Sequence, residues 1–223
     1  MGFNLSPLII PTAIGAGSEQ RWWALLLLAE IGGKDAVEPI VRGLFDDDPL
    51  IRKASRSGAR MLIGVHGLAR AMAEPLQKVL LHERESMERR VAAVEIIGEF
   101  RDARFVPVLL QTLASSHASL RAASAAALRT LSRQELPDDA EAWNNWWSAN
   151  KNCPRVQWLI DAISAESASV RESASRELTE ICGDDFGFSS ELSRDESLQV
   201  QSRALQWWQS MERNRETDPP EPR

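Results

Sequence analysis

Apolar residues in this chain recur three and four positions apart, and polar turns cut them into stretches of one to two dozen residues. That spacing puts the apolar set on one face of a helix, whereas a strand would need strict alternation with β-branched residues. The pattern therefore predicts helices throughout. It also repeats. Val37 to Leu62, Val106 to Leu131 and Val156 to Ile181 superpose without a gap, each carrying an apolar stretch, a polar turn and an aliphatic-Arg pair that opens a second helix. Counting from that arginine, Arg52, Arg121 and Arg171 have a small residue at +3 (Ser55, Ser124, Ala174) and apolar residues at +7 and +10. Weaker copies begin at Arg21, leading to Ala24, Leu28 and Ile31, and at Arg90, leading to Ala93, Ile97 and Phe100. The five origins are 31, 38, 31 and 50 residues apart. Such a period is the signature of stacked helical units. Positions +3, +7 and +10 share a helical face that is expected to be buried, and the small +3 residue admits a closely packed neighbour.

Boundary residues agree with this division. Ser18, Asp48-Pro49 and Ser167 read as helix starts, and Gly32-Gly33 and Gly183 as stops. The 50-residue interval calls for an inserted helix over about 138–151, with an acid-rich start followed by Trp143, Trp146 and Trp147. Trp207 and Trp208 echo it near the end of the chain. One domain is expected over 1–213, followed by a disordered tail over 214–223, rich in proline and charge. Leu5 to Ile14 carries no charge, which resembles an internal repeat more than a polar cap and points either to a longer array or to self-association at the N-terminal edge.

Together these residues resemble the HEAT family of helical repeats, whose unit is a proline-bearing helix, a turn with an Asp, and a second helix opened by Val-Arg. Pro7, Pro39 and Pro107 match the proline, Asp46 to Asp48 the turn acid, and Ile51-Arg52, Leu120-Arg121 and Val170-Arg171 the second-helix start. Ser115-Ser116 and Ala165-Glu166 replace the turn Asp in two copies, and Trp158 stands where a proline belongs. The resemblance covers about residues 3–183. It implies an all-α fold, a right-handed superhelix of the HEAT/armadillo-like kind with about five helical pairs plus the inserted helix. Second helices would line its concave side, where partners of such solenoids bind. The Trp-Trp inserts look like those of certain bacterial HEAT-repeat proteins.

Composition narrows the function classes. The chain has 223 residues, 26% charged, with a net charge of −6, three histidines and two cysteines. Cys153 and Cys182 are too few for a disulfide scaffold, and no metal-ligand spacing is present, so a cytoplasmic protein with no metal and no cofactor is expected. The longest apolar stretch, Trp22 to Ala29, is too short for a membrane span. On the second-helix face, Lys53, Arg56 and Arg60 form a basic stripe and Glu95 and Glu99 an acidic one. That alternation disfavours nucleic acid as a partner. Core packing is the default for the eight tryptophans, with one member of each adjacent pair expected to be partly exposed. Trp22 and Trp146 are the candidate anchors, so the partner-binding set is Lys53, Arg56, Arg60, Glu95, Glu99, Trp22 and Trp146. The reading is a non-catalytic scaffold or adaptor that binds another protein on its concave second-helix surface. Enzymes resembling HEAT folds are the alternative, as bilin lyases or DNA-alkylation-repair glycosylases. A deoxyhypusine-hydroxylase-like site would need several His-Glu pairs, and only His82-Glu83 exists.

Overall fold

The computed structural model describes residues 6–15 and 17–217, with side chains over 7–15 and 17–213. Among the described residues there are twelve α-helices and no strand. Five first helices, α1 (Ser6–Gly15), α3 (Val37–Leu44), α5 (Ala69–Leu81), α7 (Val106–Leu113) and α10 (Arg155–Ala162), precede five second helices. These are α2 (Ser18–Ile31), α4 (Pro49–Gly64), α6 (Met87–Glu99), α8 (Ala118–Ser132) and α11 (Ala168–Cys182). Each marker arginine is the fourth residue of its second helix. The inserted helix is α9 (Ala140–Asn150), and α12 (Arg194–Thr217) ends the described chain.

The chain divides into two compact units, residues 1–127 and 128–223, with the division inside α8. The helix α12 also runs through residues 214–217, the first four of the expected tail, because its sequence meets no breaker before Asp218-Pro219. Residues 218–223 of that tail, and Leu5 of the uncharged start, lie outside the described residues.

The arginines do more than mark register. In α4 the Nη1 of Arg52 donates to the carbonyls of Asp46 and Asp47 at 2.7 and 2.8 Å. Arg121 makes the same pair of bonds to Ser115 and Ser116 at 2.9 and 2.8 Å, and Arg171 to Ala165 and Glu166 at 3.0 and 2.9 Å. A short first helix leaves its last carbonyls without helical partners, and the guanidinium supplies charge-assisted donors to the two that follow in the turn. Arg90 departs from the rule, its Nε reaching Leu80 O at 2.8 Å, and Arg21 pairs with Asp46 of the next turn at 2.5 Å. The turn acid is itself partly replaceable. Asp46 Oδ1 accepts from Asp48 N at 3.0 Å, and Ser115 Oγ accepts from His117 N at 3.2 Å in the equivalent place.

Position +3 is buried in all five copies, and so is +7. In two copies the +3 residue meets a small residue twelve positions earlier on the first helix. Ser55 lies against Gly43 so closely that no side chain fits there, and Ser124 Oγ meets Thr112 Oγ1 at 2.7 Å. Successive second helices also approach through small residues. A carbon added at Gly58 would lie 3.1 Å from Ala29 Cβ, and one at Gly98 would lie 2.9 Å from Ala127 Cβ. Position +10 follows the expectation at Leu62 and Leu131, which are buried, but Ile31 and Ile181 are 37% and 51% exposed. After Ile181 the helix stops two residues later at Gly183, whose φ of 78° gives the left-handed cap. Among the starts, Asp48 caps Leu50 N at 2.8 Å, but the cap of α2 is Gly17, and Ser167 makes no capping bond.

In the second unit, Trp143 of α9 is fully buried, and its Nε1 donates to Pro137 O at 2.9 Å. Trp158 of α10 is buried beside it, taking the edges of Trp146 and Trp147 at 5.0 and 6.0 Å between centroids. A helix outside the repeat pattern is held in this way, its indoles filling the space against α10. Farther along, Val200, Ala204 and Trp208 of α12 close the core over Ile160, Ile163 and Leu178. At +6 of the last copy, where the second and fourth have Gly58 and Ala127, stands Glu177. Its buried carboxylate is neutralised by Arg155 at 2.5 Å and Arg133 at 3.2 Å.

Replacing Arg171, 9% exposed, by Met removes two charge-assisted bonds and should cost about 2–4 kcal/mol in urea unfolding. Arg176→Met on the same helix removes only an exposed pair with Glu172 and should cost less than about 0.5 kcal/mol. Equal losses at the two positions would contradict the clamp.

Candidate functional site

The second-helix face of the first unit carries six of the seven residues singled out from the sequence: Trp22 on α2, Lys53, Arg56 and Arg60 on α4, and Glu95 and Glu99 on α6. Their charges largely cancel. Arg56 reaches Glu99 at 3.3 Å and Glu95 at 3.8 Å, and Arg60 reaches Glu99 at 2.5 Å. The basic stripe of α4 thus faces the acidic stripe of α6, forming a ladder across two successive layers. Such half-exposed pairs are each worth about 0–1 kcal/mol, so they steer and orient more than they stabilise. Lys53, one turn earlier on α4, is exposed and takes no part in that ladder.

Beside Lys53 the face turns apolar. A groove of about 600 Å³ runs between α2 and α4, with Trp22, Leu26, Leu50 and Ala54 as its apolar lining and Ser18, Glu19, Lys53 and Ser57 at its polar margin. Leu50 is 60% exposed there. Leu26, Leu50 and Ser57 were not singled out from the sequence. The available signal was that Trp22 and Leu26, at +1 and +5 of the first copy, are apolar where the second copy has Lys53 and Ser57.

At one end of the groove the carboxylate of Asp48 is held below its ordinary protonation range, chiefly by a hydrogen bond from Ser18, then by the Leu50 amide that it caps and by the charge of Arg21. The residue expected to cap α2 therefore ties α2 to the start of α4.

Trp146 stands elsewhere, in the second unit. It is half-buried, 5.7 Å from Trp143, 6.3 Å from Trp147 and 5.0 Å from Trp158, because α9 needs those rings to pack on α10. In the 22/23 pair the more open ring is Trp23, 61% exposed, and Trp22 is half-buried. The second unit also has a polar cleft of about 290 Å³ between Gln134, Asp161 and Arg194. Partial burial raises the Asp161 carboxyl, and a hydrogen bond from Gln157 opposes that. Among the described residues no group of three or more His, Cys, Asp or Glu is placed to hold a metal ion, and no helix is long and apolar enough to cross a membrane.

Residues 20–46, from α2 through α3 to the turn at Asp46, match the PBS lyase HEAT-like repeat. That segment is a HEAT-like repeat. The matched unit contains Trp22 and Leu26 of the groove wall and Arg21, the first of the five origins. No curated protein matches the sequence. Among solved structures the chain is similar to an engineered protein at 19% identity, over 92% of this chain and 96% of that one, with a TM-score of 0.41. The ladder from Arg56 and Arg60 to Glu95 and Glu99 lies beyond the matched segment and joins α4 to α6.

A depressed carboxylate stabilises the fold above its unfolded protonation range, and that contribution is lost as pH falls through the folded value. Asp48→Asn should therefore lower the urea midpoint at neutral pH, and its curve should converge with the parent curve in acid. In a carbon-detected titration Ser18→Ala should move the Asp48 transition upward. An unmoved transition would mean that Ser18 does not hold that carboxylate.

Proposed function

We propose that this protein is a non-catalytic scaffold that binds another protein on its second-helix face, with the groove between α2 and α4 as the anchor point. The observation that carries this is the contrast within one face. Arg56, Arg60, Glu95 and Glu99 satisfy one another, whereas Trp22, Leu26 and Leu50 leave an apolar groove with the exposed ammonium of Lys53, outside the ladder, at its margin. An aromatic and two leucines next to one such cation suit an apolar side chain of a partner with a carboxylate nearby. The ladder flanks this anchor and gives the partner a fixed pattern of alternating charge, which sets orientation and encounter more than affinity. Repeats that pack only on their neighbours leave such surface positions free to differ from copy to copy, and +1 and +5 do differ.

A photo-reactive residue at Ser57, on α4 beside the groove, should capture a partner protein from lysate of the source cells. The same residue at Glu74, exposed on the first helix α5, should not. Adding Leu50→Asp and Lys53→Glu should cut capture at Ser57 by roughly fivefold or more, the loss of one anchor contact of about 1 kcal/mol or more. Equal capture at both positions, or capture indifferent to Leu50 and Lys53, would place the working surface elsewhere.

A further inference from the structure

Within the first unit, positions +2 and +6 of a second helix face the preceding layer. Gly58, at +6 of its copy, lies under Ala29, and Ala127, at +6 of its copy, lies under Gly98. The second, third and fourth copies have Ala54, Ala92 and Ala123 at +2, Ile96 holds +6 of the third, and all of these +2 and +6 residues are buried or half-buried. The first copy breaks the pattern. Its +2 and +6 residues are Trp23 and Leu27, 61% and 49% exposed, and Leu8 of α1 beside them is 75% exposed. Next to the Trp23 ring lies a groove of about 530 Å³ lined by Leu8, Ile9, Thr12 and Leu27, and its lining contains no charged residue.

We propose that this face pairs with the same face of a second copy of the chain about a twofold axis, each Trp23 entering the groove beside Leu8 and Leu27 of the other. Three observations select that occupant. A further repeat stacked in the internal geometry would bring its small residues to within Cβ contact, as at Gly58 and Gly98, and an indole at +2 leaves no room for that approach. The face carries a protruding ring and a recess side by side, which is the condition for a self-complementary, isologous contact. The groove itself has no charged residue in its lining, so the rings meet there without a buried like charge, with the exposed Glu19 and Glu30 of α2 outside it. The open surface of Leu8, Trp23, Leu27 and Ile31 is on the order of 500 Å² per chain, hence about 1,000 Å² for the pair, at the lower bound for a specific interface. An interface of that size belongs to the weak, reversible class.

Sedimentation velocity of the full chain from about 1 to about 200 µM at physiological salt tests this. The expected result is a concentration-dependent shift from one to two chain masses with no larger species. Trp23→Glu with Leu27→Glu, both at exposed positions, should keep the parent far-ultraviolet circular dichroism and remain monomeric over the same range, a dissociation constant raised at least about thirtyfold. A parent chain that stays monomeric throughout overturns the proposal. So does a dimer indifferent to the two substitutions, and so does an open series of larger oligomers, which a closed twofold contact forbids.

Discussion

A guanidinium held by two successive turn carbonyls is the interaction on which the layered arrangement depends. The first helices of the clamped repeats are only eight residues long, too short to stand alone, and each ends in a turn whose carbonyls have no helical partner. Arg52, Arg121 and Arg171 reach back six and five residues and satisfy two of them at once. One side chain thereby fixes the angle at which the second helix leaves the turn. The facing pairs Gly43/Ser55 and Thr112/Ser124 then let the two helices close on each other, and the small, buried Ala162 and Ala174 hold the equivalent places in the last copy. Where the clamp is missing other bonds do the joining, as when Arg21 reaches Asp46 in the next turn.

The periodicity made the second helices legible from the sequence, since +3 and +7 are buried in every copy. What the spacing of side chains could not express was the reason for the arginine, because its partners are backbone carbonyls and leave no trace in residue identity. The same limit hid the Glu177 cluster. Arg133, Arg155 and Glu177 are far apart in sequence, and a glutamate at a +6 position reads as a surface residue until two arginines are found against it. Position +10 was read less well: Ile31 and Ile181 are exposed there, whereas Leu131, as close to the end of its helix as Ile181, is buried.

The candidate site was legible in part. Alternation of sign along the second helices was plain, but whether Arg56 and Arg60 stand free or meet Glu95 and Glu99 depends on how adjacent layers register, which sequence spacing does not fix. Registration decides the functional reading, because it neutralises most of the face and isolates Lys53 beside Trp22 and Leu50. Trp146 sits in a helix outside the repeat pattern, and such a helix must use its large side chains for attachment, so the ring packs against Trp143 and Trp158. Trp23 follows the repeat pattern but stands where the next three copies have alanine, and it is open together with Leu27.

Nitrogen-15 spectroscopy of the guanidinium groups in the intact chain tests the arginine clamps most directly, without any substitution. Arg52, Arg121 and Arg171, each bound through Nη1 to two carbonyls, should show separate, slowly exchanging Nη resonances with hindered rotation, while the exposed Arg176 should show a single averaged signal. Averaged signals from all four would mean that something else holds the turns and that the arginine does not set the angle of the second helix.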